Sequence, residues 1–337
     1  MKSYIRKHRP FNGDSDITCG DRLHAIALQV IVLLPVLFLP YTIVKAQETQ
    51  TAAEPGSIVA EIKAEAEKVI TSVQGRWTKS WIAQSGNLPP IKPFSLKVGD
   101  KDVTIDESLF YSGRYGSPLS YSRAFDLVEE FGFKPAEKSR VFDFGYGSIG
   151  HLRLLALSGL DVTAVDVDPL LPSMYADAAG PLGSGNVRLL NGKFPAEESL
   201  VTEAGDGYDL FISKNTLKRG YIHPAREPAS PKHIIELGVT DEAYLQQVAK
   251  MLKPGGFFVI YNLCPPKAPD DKPYIPWADG ECPFSEAQLS QAGFEILAYD
   301  IVDDKAAREL GRLLSWDQMG MNLQTDLFAW YTIAKKK

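Results

Sequence analysis

The sequence predicts an α/β fold in which a largely parallel sheet is wrapped by helices. Two observations carry that expectation. From Arg140 onward, short apolar runs of strand length alternate with segments of helical periodicity, as in parallel strands joined by crossover helices. The first such junction, "DFGYGSIG" (143–150), sets glycines at 145, 147 and 150 between an apolar strand and a helix. A bare backbone there lets the chain turn tightly or approach a ligand closely.

Residues 47–57, "QETQTAAEPGS", are small and polar and read as a linker. Apolar side chains at Ile58, Ile62, Ala66, Val69, Ile70, Val73, Trp77 and Trp81 recur at helical spacing, so 58–81 is expected to be amphipathic helix. "GNLPPIKP" stops it, and "FSLKVGDKDVTI" (94–105) reads as a hairpin turning at Gly99-Asp100. A further helix is expected over 120–131, with Ala124, Phe125, Leu127, Val128 and Phe131 on one side. Strands are expected at 141–143, 162–166, 186–192, 208–213 and 255–264, and helices at 150–157 and 241–252, with Thr240 as N-cap of the second. Two more strands, 294–300 and 327–334, close the chain around one mixed segment. Residues 58–120 thus form an N-terminal helical and hairpin extension that would cover a substrate, and 121–337 form the main domain.

The first 46 residues stand apart. Ala25 to Val44 is twenty residues without a charge, preceded by Lys2, Arg6, Lys7, Arg9 and Arg22 and followed by Val44-Lys45-Ala46. A cleavable export signal and a membrane anchor both fit this pattern. The basic side would stay in the cytoplasm, which places the domain outside. Residues 1–46 hold six basic and three acidic side chains, so the remainder is more acidic than the −6 of the whole chain. That balance excludes nucleic acid as a partner, since phosphate binding needs clustered Lys and Arg. Beyond the leader only Cys264 and Cys282 remain, with no CxxC or Cys/His cluster for structural zinc. In an exported domain the two can pair or stay free. No dense carboxylate and histidine cluster suggests a metal site, although Asp209, Asp241 and Asp303 leave one formally open.

Gly145-x-Gly147-x-x-Gly150, with Asp166 ending the next strand, satisfies the dinucleotide fingerprint. An NAD(P)-dependent oxidoreductase is therefore one reading. Against it, Asp143 sits two residues before the first glycine, where a carboxylate repels a pyrophosphate and attracts a cationic ligand. The alternating unit also runs through five strands and ends with two more, leaving nothing that resembles a separate hydride-transfer domain.

Asp143-x-Gly145-x-Gly147, Asp166 closing "VTAVD", and "LKPGG" (252–256) together resemble the class I S-adenosylmethionine-dependent methyltransferases over about residues 115–335. The resemblance implies a seven-stranded Rossmann-like sheet, mostly parallel with an antiparallel last strand, helices on both faces, and S-adenosyl-L-methionine as cofactor. It implies that Gly145 and Gly147 shape the loop under the methionine part, that Asp143 holds the loop and the ammonium end, and that Asp166 accepts from both ribose hydroxyls. Val167 would pack on the adenine. Gly150 completes the loop, and Tyr146, where the family has a small residue, either faces the sulfonium or packs beneath the loop. The family's Gly-Asp after the third strand is Gly192-Lys193 here, which puts the adenine amino contact in doubt and leaves Phe194 to stack on the ring.

The segment "SKNTLKRGYIHP" (213–224) follows the fourth strand, where ligands bind beyond the carboxyl ends of such sheets. Asn215 is placed to meet the methionine end, and Tyr221 and His223 to face a small-molecule acceptor, with His223 as the candidate base. The Asn/Asp-Pro-Pro-aromatic signature of relatives that methylate bases and amides is absent. "YSGRYGSPLSY" (111–121) would close over the cofactor. An exported binding protein that keeps the scaffold without catalysis is the remaining alternative.

Overall fold

The computed structural model describes residues 75–112, 117–228 and 230–337. The proposed leader at 1–46, the linker at 47–57 and the start of the 58–81 helix lie outside the described residues. Among those described, no helix is long and apolar enough to cross a membrane.

In chain order the strands are β1 Phe94–Val98, β2 Lys101–Ile105, β3 Arg140–Phe144, β4 Asp161–Asp166, β5 Gly180–Leu182, β6 Gly185–Asn191, β7 Tyr208–Lys214, β8 Leu252–Cys264, β9 Phe294–Val302 and β10 Phe328–Lys336. Helices α1 Arg76–Gln84, α2 Glu107–Ser112 and α3 Ser122–Glu130 precede the sheet; α4 Gly150–Leu157, α5 Leu171–Met174, α6 Glu198–Ala204, α7 Arg219–Ile222, α8 Asp241–Met251, α9 Glu286–Gln291, α10 Asp304–Leu313 and α11 Leu323–Asp326 follow.

Strands β1 and β2 form the expected hairpin, with Val98 opposite Lys101 across the turn. The other eight form one sheet in the order β5-β6-β4-β3-β7-β8-β10-β9. Strands β6, β4, β3, β7 and β8 run parallel, and β10 inserts antiparallel between β8 and β9. The expectation of seven strands therefore falls short by one. The three-residue β5 adds an antiparallel edge through Gly180 and Leu182, paired with Val187 and Gly185. A three-residue run carries too little periodicity to be visible in sequence.

Alternation along the strands fills two cores. Val141, Leu210, Ile212, Val259 and Tyr261 face α1, α3 and α4, while Phe142, Phe144, Phe211, Phe258 and Ile260 face the layer of α6, α8 and α9. The extension docks through a carboxylate: buried Asp126 on α3 accepts from Trp77 N at 2.6 Å, Thr78 N at 3.2 Å and Thr78 Oγ1 at 2.6 Å, capping the start of α1. Thr240 Oγ1 accepts from Ala243 N at 3.2 Å, so α8 has its expected N-cap. Cys264 and Cys282 are both buried free thiols.

Candidate functional site

The site is built where β3, β4 and β7 end. Strand β3 delivers Asp143, and the chain then turns through Gly145 at φ +79° and Gly147 at φ +59°, a region that side-chain-bearing residues rarely enter. A Cβ on Gly145 would lie 2.2 Å from Thr216 Oγ1, and that hydroxyl bonds the Gly145 carbonyl at 3.3 Å. The glycine thus admits a neighbouring loop as well as a turn. Gly150 has the same kind of role: a Cβ there would meet the Tyr111 carbonyl at 2.3 Å and Pro118 at 2.4 Å. Its bare face is closed by the chain's own extension, which is itself a reason for glycine at this position.

Asp166 ends β4 beside this loop. Its Oδ2 accepts from Gly147 N at 3.0 Å and its Oδ1 from Asp168 N at 2.9 Å, which leaves each oxygen a further lone pair. Packing of the loop around the partly exposed carboxyl raises its pKa to about 6, with the Asp168 charge adding to the rise and the backbone N–H bonds opposing it. Val167 next to it is 60% exposed, an apolar surface left open at the rim. Gly192 donates its N–H to the Asp166 carbonyl at 2.9 Å, and Lys193 beside it is exposed, its N–H donating to Glu197 at 2.6 Å.

Asp143 is buried, and its Oδ2 is 2.9 Å from His151 Nε2. Burial pushes the His151 pKa down, so the neutral ring donates Nε2–H to the carboxylate and Nδ1 is left with a free lone pair. Tyr121 stacks on that imidazole with centroids 3.6 Å apart. Asp143 Oδ1, His151 Nδ1, Ser148 Oγ and Ser120 Oγ are all buried without a hydrogen-bond partner. Ser148 belongs to the glycine loop, and Ser120 to the Pro118–Tyr121 turn that presses on Gly150. Buried polar atoms left without partners in the glycine loop and the segments packed on it suit groups that a ligand supplies.

Other expected site residues are placed differently. The Tyr146 ring is buried beneath the loop, 6.3 Å from Tyr175, and does not open toward the cleft. The Phe194 ring lies in the core, 5.1 Å from Phe142 and 6.4 Å from Phe144, so it is not free to stack on an adenine. Asn215, at φ +63°, is tied to β8: its N–H donates to Asn262 Oδ1 at 3.0 Å and its own Oδ1 accepts from Leu263 N at 2.7 Å. Tyr221 is buried with the Lys218 ammonium 5.6 Å from its ring centroid. His223 is half exposed and pairs with Asp241 Oδ2 at 2.8 Å, at the N-terminus of α8. Asp209, Asp241 and Asp303 serve three separate partners, namely Lys253, His223 and Arg123.

Two lysines escaped the sequence reading. Lys214, the last residue of β7, is buried with Nζ 4.3 Å from the Tyr121 ring centroid. Lys218 is buried with Nζ donating to the Leu263 and Trp277 carbonyls at 2.6 and 3.1 Å. Burial lowers the Lys214 pKa to about 7, assisted by the Lys218 charge and opposed by Asp143; burial lowers Lys218 to about 8. The signal was present in "DLFISK", an apolar run that ends in a cation instead of continuing.

The strand order, the antiparallel β10 and the acid–glycine–acid junction give this domain the fold of the class I S-adenosylmethionine-dependent methyltransferases. No family model matches the sequence, and no relative is found among curated proteins. Solved structures with a similar arrangement include the [4+2]-cyclase SpnF, at 17% identity over 65% of this chain and 80% of that one, TM-score 0.38. A putative sarcosine dimethylglycine methyltransferase from Galdieria sulphuraria matches at 14% identity over 66% and 86%, TM-score 0.39. Geranyl diphosphate C-methyltransferase from Streptomyces coelicolor matches at 12% over 65% and 80%, TM-score 0.39. These are likenesses of arrangement, and the functional reading rests on this chain's own residues.

Proposed function

We propose that the protein is an S-adenosyl-L-methionine-dependent methyltransferase acting on a small-molecule acceptor. The observation that carries the reading is the pair of carboxylates at the ends of β3 and β4, one with an orphaned buried oxygen and the other beside an exposed valine. A nucleoside with a cationic tail complements both. Asp166 would accept from the ribose hydroxyls with its spare lone pairs, Val167 would cover one adenine face, and Asp143 Oδ1 would accept from the ammonium. Bound there, S-adenosyl-L-methionine supplies a methyl carbon activated by its sulfonium. The chain's task is then to hold donor and acceptor in line and to exclude water, which is worth several kcal/mol of barrier.

His223 is the candidate base for the acceptor. Its Nε2 is bonded to Asp241, which fixes the ring so that Nδ1 is the atom able to take a proton. Because α8 connects the parallel strands β7 and β8, its N-terminus and this dyad lie on the carboxyl-end side of the sheet.

The oxidoreductase reading gains nothing from the geometry. Asp143 lies under the loop where a pyrophosphate would sit, and among the described residues no second domain stands by to carry a hydride acceptor. The uncharged 25–44 segment is proposed as an export signal or anchor, to be checked by fractionating cells that express the full chain. Calorimetric titration of the full chain with S-adenosylmethionine, S-adenosylhomocysteine and NAD tests the cofactor. Binding of the first two and not the third is expected; binding of NAD alone would make the protein a dehydrogenase.

A further inference from the structure

Two loops extend beyond the carboxyl ends of β7 and β8, one leading from α7 to α8 and the other from β8 to α9. They are fastened together around α7. The Arg219 guanidinium donates to the Asp279 carboxylate through Nε and Nη2, each at 3.0 Å, and Gly220 N–H donates to the Asp279 carbonyl at 3.2 Å. Lys218 Nζ donates to the Trp277 carbonyl at 3.1 Å, and a Cβ on Gly220 would lie 2.1 Å from the Pro276 carbonyl. On the first loop, Ile235 N–H donates to the Tyr221 carbonyl at 2.9 Å. This bracing sets His233 of the first loop against Trp277 of the second, edge to face, with ring centroids 4.7 Å apart.

His233 is only 5% exposed, and its Nδ1 is buried without a hydrogen-bond partner; the Trp277 indole Nε1 is likewise buried and unpartnered. Native interiors rarely leave such groups unsatisfied, and two on adjacent rings suit a ligand group that bonds both. Burial, with no neighbouring charge acting on the ring, lowers the His233 pKa, so the imidazole is neutral and offers one donor and one acceptor nitrogen. The indole offers a donor alone. With the His233 proton on Nε2, an acceptor and a donor stand on neighbouring rings. A hydroxyl answers both at once, since its oxygen accepts while its hydrogen donates. An ammonium only donates and a carboxylate only accepts, and each brings a charge to a ring on which no protein charge acts.

We propose that His233 and Trp277 form a recognition site for an uncharged hydroxyl on the methyl acceptor, the hydroxyl donating to His233 Nδ1 and accepting from Trp277 Nε1–H. This site rests on the methyltransferase reading above and names its acceptor class, neutral hydroxyl compounds such as phenols and alcohols. It recognises the acceptor and leaves the proton-accepting role with His223.

Titration calorimetry on the full chain saturated with S-adenosylhomocysteine tests the site, using phenol, anisole, benzoate and benzylamine on wild type, His233→Phe and Trp277→Phe. Both substitutions keep an aromatic ring and remove the nitrogen. Phenol should bind wild type about tenfold or more tightly than each of the other three, the ordinary worth of satisfying buried polar groups that are otherwise unpaired. Each variant should lose that preference while keeping its affinity for S-adenosylhomocysteine. His233→Phe replaces an unsatisfied buried ring with an apolar one and should not lower the melting temperature, so loss of fold does not mimic the result. A wild type without preference for phenol, or a preference kept in either variant, would overturn the site and leave the cofactor reading standing. Loss of S-adenosylhomocysteine affinity in both variants would reduce the pair to a packing role and overturn the site as well. A wild type that does not bind S-adenosylhomocysteine overturns the cofactor reading itself.

Discussion

Asp166→Asn probes the nucleoside end of the site. In the structure each carboxylate oxygen already takes one backbone N–H, from Gly147 and from Asp168. Asparagine keeps one acceptor oxygen and replaces the other with a donor that faces an N–H, so one loop bond and one ribose bond are lost. The loop bond is worth about 1 kcal/mol of stability, and removal of a carboxylate whose pKa packing raises to about 6 offsets part of it. Net stability should therefore change by no more than about 1 kcal/mol. The ribose bond is charge-assisted and worth about 1.5–3 kcal/mol, or roughly a 10- to 150-fold rise in Kd for S-adenosylhomocysteine. The same carboxylate sets a pH dependence. The ionised form accepts from the hydroxyls, so wild-type affinity should be full above pH 6, fall as pH drops through 6, and lose that step in Asp166→Asn. Titration calorimetry between pH 5 and 8, alongside thermal unfolding, reads both quantities. An affinity within twofold of wild type, with the loop still folded, would refute the placement of the ribose.

Gly145→Ala should destabilise by roughly 2–5 kcal/mol, combining about 1–2 for a side chain at positive φ with about 1–3 for overlap on Thr216. Pairing it with Thr216→Gly should return only the overlap part, so the double variant falls short of additivity in denaturant unfolding. Asp126→Ala strips the cap from α1 and leaves Thr78 Oγ1 without its acceptor, a cost of about 2–3 kcal/mol in denaturant unfolding; an unchanged midpoint would mean that α1 is not held by this carboxylate. His223→Ala should slow turnover by about 100-fold or more if the acceptor must lose a proton, with cofactor affinity unchanged; full turnover would retire His223 as the base.

Much of the scaffold was legible because its signals are local. The 150–157 helix is found at those bounds, and Thr240 caps the helix that follows it. The Gly-rich turn and the two strand-end acids could be read because backbone conformation and charge at a strand terminus leave a mark on residue type. What escaped depends on contacts between distant segments. Phe194 looked available for stacking until β3 placed Phe142 and Phe144 against it, and the bonds that tie the Asn215 backbone N–H and Oδ1 to β8 come from a segment nearly fifty residues downstream. Gly150 has a sequence position suited to a phosphate loop, yet its space is taken by Tyr111 and Pro118, about thirty to forty residues upstream. Lys214 shows the converse: a lone lysine in sequence becomes informative only when the sheet sets it beside Asp143.

The most direct measurement is a crystal structure of the protein grown with S-adenosylhomocysteine. The ribose should lie on Asp166, the adenine over Val167 and the amino-acid tail at the Asp143 end of the glycine loop. Ligand density elsewhere on the protein, or a cleft between the two acids still filled by the chain's own side chains at saturating ligand, would contradict this placement.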